Sequence, residues 1–508
     1  MSASQYVGNR QPDLLEVISN LSNNEVFTPP RVANDVLDLL PEHVWNDPTL
    51  RWLDPASKTG VFPREITRRL MVGLSGAIPD ESERLRHILT AMVHAVAITD
   101  MTAMMSRRSL YCSKDADSEH SAIEMMSSSG NVWNDRVEHA YDQKGKCSEC
   151  GGSREQLETS GRDNYAYALI HSDGQARLAE AIDMKFDIIV GNPPYQMELG
   201  DSSDVPLYNL FIEQSIALNP KFITMVIPSR WMAGGKWLEG FRAKMLADKR
   251  LRKLVDFSLM ASVFPGSVDF EGGVCYFLWD RDSPGECEFI HHVGSEALPS
   301  VERDLNEFDV LVRDNRSLSI LRKVRSRGEP SIHELVTGQT PFGLFTNFKD
   351  YRKKLKRDGD LKLIVTDGGV RTEKWVDPKW VTRGHDLVKK WKVFVPEAYG
   401  ERGAVPARVL GPTYLAGPGT VCTQTFLAVG PFRTKAEAES AERFLATRLA
   451  RFLISLRKIT QHAGRGTYAW VPQLDWGQSW SDADLAERYG LTRDEQAHIE
   501  SMVKELPV

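Results

Sequence analysis

Asn192, Pro193, Pro194 and Tyr195 are the residues of this sequence best suited to chemistry. The amide of Asn192 offers a planar carbonyl acceptor. The two prolines fix φ and remove two N–H donors from the loop that carries it. That carbonyl and a neighbouring peptide carbonyl can together accept both hydrogens of an exocyclic NH2. The amine lone pair then faces the cleft, where an electrophilic methyl group could sit. Tyr195 adds a flat ring on which a base can stack. An isolated Pro-Pro-Tyr is an ordinary loop ending, so its placement decides the matter.

Three acids occupy matching places. Asp54, Asp100 and Asp173 end the apolar runs "LRWLDPA", "MVHAVAITD" and "YALIHSD", as Asn192 ends "FDIIVGN". Any one of the acids can serve as a helix N-cap. Four successive strands with polar ends, however, line the crevice where parallel α/β sheets bind ligands. The stretch "DPASKTGVF" supplies Pro55, the small Ala56 and Ser57, and Gly60, which allow backbone to approach a ligand before a helix starts. Asp100 stands where dinucleotide-like folds put an acid on ribose hydroxyls. The ligand expected in this crevice carries an adenosine and a charged tail.

Cys147 and Cys150 form a C-x-x-C followed by two glycines, with Cys112 and His139 on its N-terminal side. Six cysteines in 508 residues are too few for a disulfide framework. In a reducing compartment such a turn reads as metal-binding or redox-active. Two readings stand: a Cys3His set for structural zinc made of Cys112, His139, Cys147 and Cys150, or buried thiols beside a surface histidine.

The elements that must position these residues follow from periodicity. Up to about residue 280, short apolar runs alternate with helical patterns, the mark of βαβ units and a parallel sheet. "FITMVIPS", "LVDFS" and "GGVCYFLWD" supply the later strands. Residues 113–164 are polar and rich in Ser, Gly and Asp, and read as an insertion between the second and third strands. The expected division is a first domain over 1–325, an α+β domain over 326–475 and a charged helical tail over 476–508. No apolar run is long enough to span a bilayer, and "MSASQYVGNRQPDLLE" has no signal-peptide core, so a cytosolic protein without a membrane partner is expected. The net charge of −6 does not advertise nucleic acid, although one basic face is compatible with it.

With these motifs in order, the sequence resembles the S-adenosylmethionine-dependent DNA adenine-N6 methyltransferases, and within them the methylases of the Eco57I restriction–modification type. "GNPPYQ" matches the family's catalytic motif, "LDPASKTGVF" its cofactor loop, and "EVFTPPRVA" its N-terminal Phe-Thr-Pro motif, here Phe27, Thr28 and Pro29. The likeness spans roughly residues 25 to 280. Ser57 and Lys58 depart from it, replacing the usual Cys and Gly. The resemblance implies a class I methyltransferase-like doubly wound sheet of seven strands with one antiparallel edge strand. It implies S-adenosylmethionine held by Phe27, Thr28, Pro29, Asp54, Pro55, Ala56, Ser57, Gly60, Asp100, Asp173 and Asn192. Thr28 would touch the methionine moiety, Asp100 the ribose and Asp173 the adenine amino group.

The same resemblance makes the second domain a target-recognition domain for double-stranded DNA; no nuclease segment is evident, so a separate restriction endonuclease, or none, is expected as a further partner, with the nucleoid as the place of action. Basic residues interleaved with Trp and Tyr suit phosphate contacts and base stacking, and Arg371, Lys374, Lys392, Arg457, Lys458 and Arg465 are the candidates. A target adenine would be flipped out of the stack to reach Asn192. Two rivals remain: the same chemistry on RNA or a protein glutamine, and a non-catalytic DNA-recognition subunit.

Overall fold

Runs of apolar residues that are buried on both faces can only lie at the centre of a sheet covered by helices. In the computed structural model three such runs are central strands: β1 (Trp52–Ser57), β4 (Ile188–Gly191) and β7 (Phe222–Pro228), every residue of which is buried. The structure describes residues 27–134, 137–155, 167–181, 185–197, 205–235, 237–264, 272–294, 296–354, 356–400, 405–458 and 461–506. The chain forms two compact units, Met1–Asp309 and Val310–Val508.

Among the described residues the first unit is built on one sheet of ten strands. Besides the three above it contains β2 (Val93–Ala97), β3 (Val132–Trp133), β8 (Leu251–Phe257), β9 (Val274–Asp280), β10 (Cys287–Val293), β11 (Glu296–Ala297) and β12 (Val301–Arg303). The strand order is β11-β10-β8-β9-β7-β4-β1-β2-β3, with β12 also paired to β10. The short strands β5 (Gln196–Met197) and β6 (Val205–Pro206) form a separate hairpin. Strands β3, β2, β1, β4 and β7 run parallel, whereas β9 lies antiparallel between β7 and β8. The expected antiparallel edge strand is therefore interior. Six of its seven residues, Val274–Trp279, are buried, as in a strand covered on both faces, and its two edges are hydrogen-bonded to β7 and β8. The edge beyond β10 is taken by the short β11 and β12, both antiparallel to it, and the alternating burial of β10 marks one covered face.

Helices α1 (Pro30–Leu37), α2 (Val61–Gly73), α3 (Asp100–Tyr111), α4 (Ser172–Ala181) and α5 (Tyr208–Ala217) belong to this unit. Pro30 opens α1 at a position where its missing N–H costs nothing, and Val32, Ala33, Val36 and Leu37 are its buried face. The core they share with β1 includes Trp45 stacked on Trp52, ring centroids 4.9 Å apart.

Two expectations about this unit are corrected. "YALIHSD" is not the third strand; that strand is Val132–Trp133, inside the stretch read as an insertion, and it pairs with β2. Leu169 and Ile170 are instead spent on a satellite core with Cys147 and Cys150. The boundary also falls earlier than residue 325. The helix Ser317–Ser326 belongs to the second unit, where Lys323 pairs with Glu495 at 2.6 Å and Ser317 bonds His498 at 3.1 Å. Residues 476–506 contribute the helices Asp482–Tyr489 and Arg493–Met502 to that same unit.

The second unit holds two three-stranded sheets, one of β13 (Leu361–Asp367), β14 (Val370–Val376) and β17 (Thr420–Cys422), the other of β15 (Trp391–Pro396), β16 (Tyr414–Ala416) and β18 (Phe426–Phe432). Phe342, Ile364, Phe394 and Phe426 are among the residues of its core. Among the described residues no helix is long and apolar enough to cross a membrane.

Candidate active site and an inserted metal-ligand cluster

At the carboxyl end of β1 the chain turns through Asp54-Pro55-Ala56-Ser57 into Gly60 and α2. Gly60 has φ +74°, and a Cβ there would meet the Ser106 backbone of α3 at 2.7 Å. Only glycine lets this turn lie against α3. The side chains of Ser57 and Ser106 are 3.0 Å apart, closing the turn from below. Thr28, Asp54, Ala56, Lys58, Thr59, Gly60, Val61, Phe62 and Asn192 line one cleft. Thr28 of the N-terminal Phe-Thr-Pro segment, the β1 turn and the Asn192 loop thus meet there.

Asp54 is only 3% exposed, and burial pushes its carboxyl up to about 7 against the smaller lowering effect of the Ala56 N–H, which donates to it at 3.2 Å. Gly191 makes this proximity possible, because a Cβ there would press on the Asp54 carboxylate at 3.1 Å and on Pro55 at 3.3 Å. The ends of β1 and β4 are packed together by that glycine. Asn192, 4% exposed, donates its amide N–H to the Thr28 hydroxyl at 3.0 Å. With the nitrogen held by Thr28, the orientation of the amide carbonyl is set.

Tyr195 is 7% exposed and packs into the main core, where burial pushes its phenol well above the ordinary range. Its carbonyl accepts the Leu207 N–H at 3.1 Å, which joins the Asn192 loop to the start of α5. Asp100 is the exposed first residue of α3, one strand over from Asp54, and Asn134 at the end of β3 donates to it at 3.2 Å. Asp173 is not at a strand end. It lies in the first turn of α4 and pairs with Arg177 at 3.0 Å. The strand end expected to carry it is a helix start instead.

The inserted segment folds as a knuckle. Cys147 N–H bonds Gly152 O at 2.8 Å and Gly151 N–H bonds Cys147 O at 2.9 Å, with Gly151 at φ +74°. His139, Cys147, Cys150 and His171, all buried, bring their ligand atoms within 4.8 Å of one another. Cys112 is not among them: it caps α3 and packs against the main core. The fourth member, His171, escaped sequence reasoning because it was assigned to a strand. It is, however, the first histidine after Cys150, which is the signal that could have found it.

In the second unit the six basic candidates part company. Lys392 is fully buried, its ammonium donating to the carbonyls of Lys390 at 3.0 Å and Gly417 at 3.1 Å, and burial lowers its pKa to about 8. Lys458 likewise donates to Tyr399 O at 2.6 Å and Val409 O at 2.8 Å, with its pKa lowered by burial to about 8. Both are committed to the fold and are withdrawn as DNA contacts. Arg457 stacks on Trp470 at 4.6 Å, and Arg465 donates to His333 O at 3.0 Å. Arg371 is exposed over Tyr414, and Lys374 is half-buried on the same strand, β14.

Comparison with known proteins adds four findings. Residues 91–264 match the Eco57I restriction-modification methylase family. A Mycoplasma pneumoniae protein described as an uncharacterized adenine-specific methylase is 34% identical over 340 residues, 61% of this chain and 80% of that protein. Among solved structures, a DrdV–DNA complex shares 10% identity at a TM-score of 0.49, over 94% of this chain and 57% of that one. A modification subunit of a putative type I restriction enzyme from Vibrio vulnificus YJ016 shares 14% identity at a TM-score of 0.34, over 55% of this chain and 49% of that one. The chain spans about half the length of these two solved proteins.

Proposed function

This chain belongs to the adenine-specific methylases, and from that premise we propose that it transfers a methyl group from S-adenosylmethionine to the N6 amine of an adenine flipped out of double-stranded DNA. The single observation that carries the reading is the union in one cleft of Asn192, Thr28, Asp54 and the Gly60 turn. The donor set suits the cofactor. The buried Asp54 carboxyl would hold the cationic methionyl end, and the Asp100 carboxylate the ribose diol. Bound there, S-adenosylmethionine supplies an electrophilic methyl group.

The protein's own part is positioning. Thr28 holds the Asn192 amide nitrogen, so the amide carbonyl is presented to the target amine. Accepting the amine's hydrogens keeps its lone pair out of the ring conjugation and directs it across the cleft. The Pro193–Pro194 pair fixes the loop, and Tyr195, anchored in the core, fixes its far end. The second unit, through the exposed side of β14, is the proposed reader of DNA sequence. In the cell the enzyme would act in the cytosol on nucleoid DNA, with or without a separate endonuclease. The zinc expected at the knuckle is a separate proposal resting on separate geometry.

Sequencing adenine modification in DNA from cells that express the protein tests the reading. N6-methyladenine at one recurring sequence is the expected result. The RNA and protein-glutamine alternatives take its place if DNA stays unmodified while labelled methyl groups enter either of those.

A further inference from the structure

We propose that His139, Cys147, Cys150 and His171 bind one structural zinc ion, and that this metal knuckle is the strut behind the cofactor loop and the catalytic loop. The distances argue for tetrahedral coordination. Zinc with Zn–S of about 2.3 Å and Zn–N of about 2.0–2.1 Å sets sulfur and nitrogen ligands about 3.5 Å apart and two nitrogens about 3.3 Å apart. Here Cys147 Sγ lies 3.7 Å from His171 Nε2, Cys150 Sγ lies 3.5 Å from His139 Nδ1, and the two histidine nitrogens lie 3.2 Å apart. Three edges of that tetrahedron are thus close to their coordinated lengths, and all four ligand atoms lie within 4.8 Å of one another.

The surroundings agree. His171 donates its Nδ1–H to the Tyr167 carbonyl at 2.9 Å, which leaves Nε2 unprotonated and aimed at the cluster. A backbone carbonyl on the second ring nitrogen is the usual way a zinc-bound histidine is oriented. Glu149, between the two cysteines, accepts the Ser172 N–H at 2.9 Å and so ties the knuckle to the start of α4, one residue beyond His171. All four ligands are buried, with no acidic or water-facing position among them, which marks a closed structural site rather than an open catalytic one.

What the knuckle supports is written in its packing. Cys147, Cys150, Leu169 and Ile170 share a small core with Ala56 of the cofactor turn and with Leu207 and Phe211 at the start of α5. Tyr167 meets Phe211 edge-on at 5.6 Å. Leu207 in turn bonds the Tyr195 carbonyl. Removing the metal would leave two thiols and two imidazoles crowded together in this small core, and the elements leaning on it would lose their seat.

Elemental analysis of the full chain, purified without chelator or metal-affinity steps, tests the site. About one zinc per chain is expected, retained in Cys112→Ser and lost in the double variant Cys147→Ser/Cys150→Ser and in His171→Ala. His171→Cys, which keeps four zinc-competent ligands, should hold the metal even if His171→Ala fails to fold. Replacement by cobalt(II) should give the visible absorption of a tetrahedral sulfur-ligated ion. A wild-type chain without metal, or loss of metal in Cys112→Ser with retention in His171→Ala, overturns the ligand set. The strut is tested by S-adenosylmethionine titration of zinc-free protein: a loss of affinity of tenfold or more is expected, and an unchanged Kd overturns it. Metal content is read without any methyl transfer, so its outcome is independent of the proposed activity.

Discussion

The pH dependence of cofactor binding follows from Asp54. Burial raises its carboxyl to about 7 in the free chain, so near neutral pH this group is poised between acid and carboxylate. A cationic methionyl end favours the carboxylate, and binding must therefore release a proton from chains that still hold one. With a pKa of about 7, about one-tenth of the chains are ionised at pH 6 and about nine-tenths at pH 8, so the apparent Kd should fall about tenfold over that interval. Titration calorimetry in two buffers of different ionisation heat reads both the Kd and the released proton. Asp54→Asn should bind more weakly and with little pH dependence. The free chain's stability should move the other way. Because the native pKa is raised above the ordinary carboxylate value of 3.8, the contribution of Asp54 is complete below that value and is lost as pH rises through about 7. A wild-type Kd that is flat from pH 6 to 8, or an equal slope in Asp54→Asn, refutes the assignment of Asp54 to the cationic end of the ligand.

Other substitutions separate the roles of neighbouring residues. Asp100→Ala should weaken S-adenosylmethionine binding by about 1.5–3 kcal/mol, the worth of a hydrogen bond to a charged group; calorimetry that shows an unchanged Kd places the ribose elsewhere. Gly60→Ala meets both a positive φ and the Ser106 backbone at 2.7 Å. It should destabilise the first unit by about 1–3 kcal/mol in denaturant unfolding. In the second unit, Arg371→Ala and Lys374→Ala should each flatten the salt dependence of DNA binding by about one charge. Lys392→Met, whose ammonium bonds only backbone carbonyls of its own unit, should leave that slope unchanged.

The central strands could be read from the chain because burial on both faces leaves an unbroken apolar run, as in Ile188-Ile189-Val190 and Phe222–Pro228. The Gly60 turn after β1 and the Asn192 loop were legible for a different reason: their residues are set by local backbone geometry and close approach. The third strand was not legible, since Val132–Trp133 gives two residues in which no period can appear. "YALI" misled because its apolar side chains serve the knuckle core rather than the sheet. Which lysines face solvent was equally hidden. Lys392 sits in a strand whose next three residues, Val393, Phe394 and Val395, are all buried, and only the tertiary fold brings the carbonyls of Lys390 and Gly417 to its ammonium.

The most direct test is transfer of labelled methyl groups from S-adenosylmethionine to duplex DNA by the wild type and by Asn192→Ala, with nucleosides resolved by mass spectrometry and cofactor binding measured on the same preparations. The account predicts N6-methyladenine from the wild type. It predicts none from Asn192→Ala, which should still bind cofactor within a few-fold of the wild type, since Asn192 acts on the target amine. Methylation by Asn192→Ala at a rate within a few-fold of the wild type would contradict it.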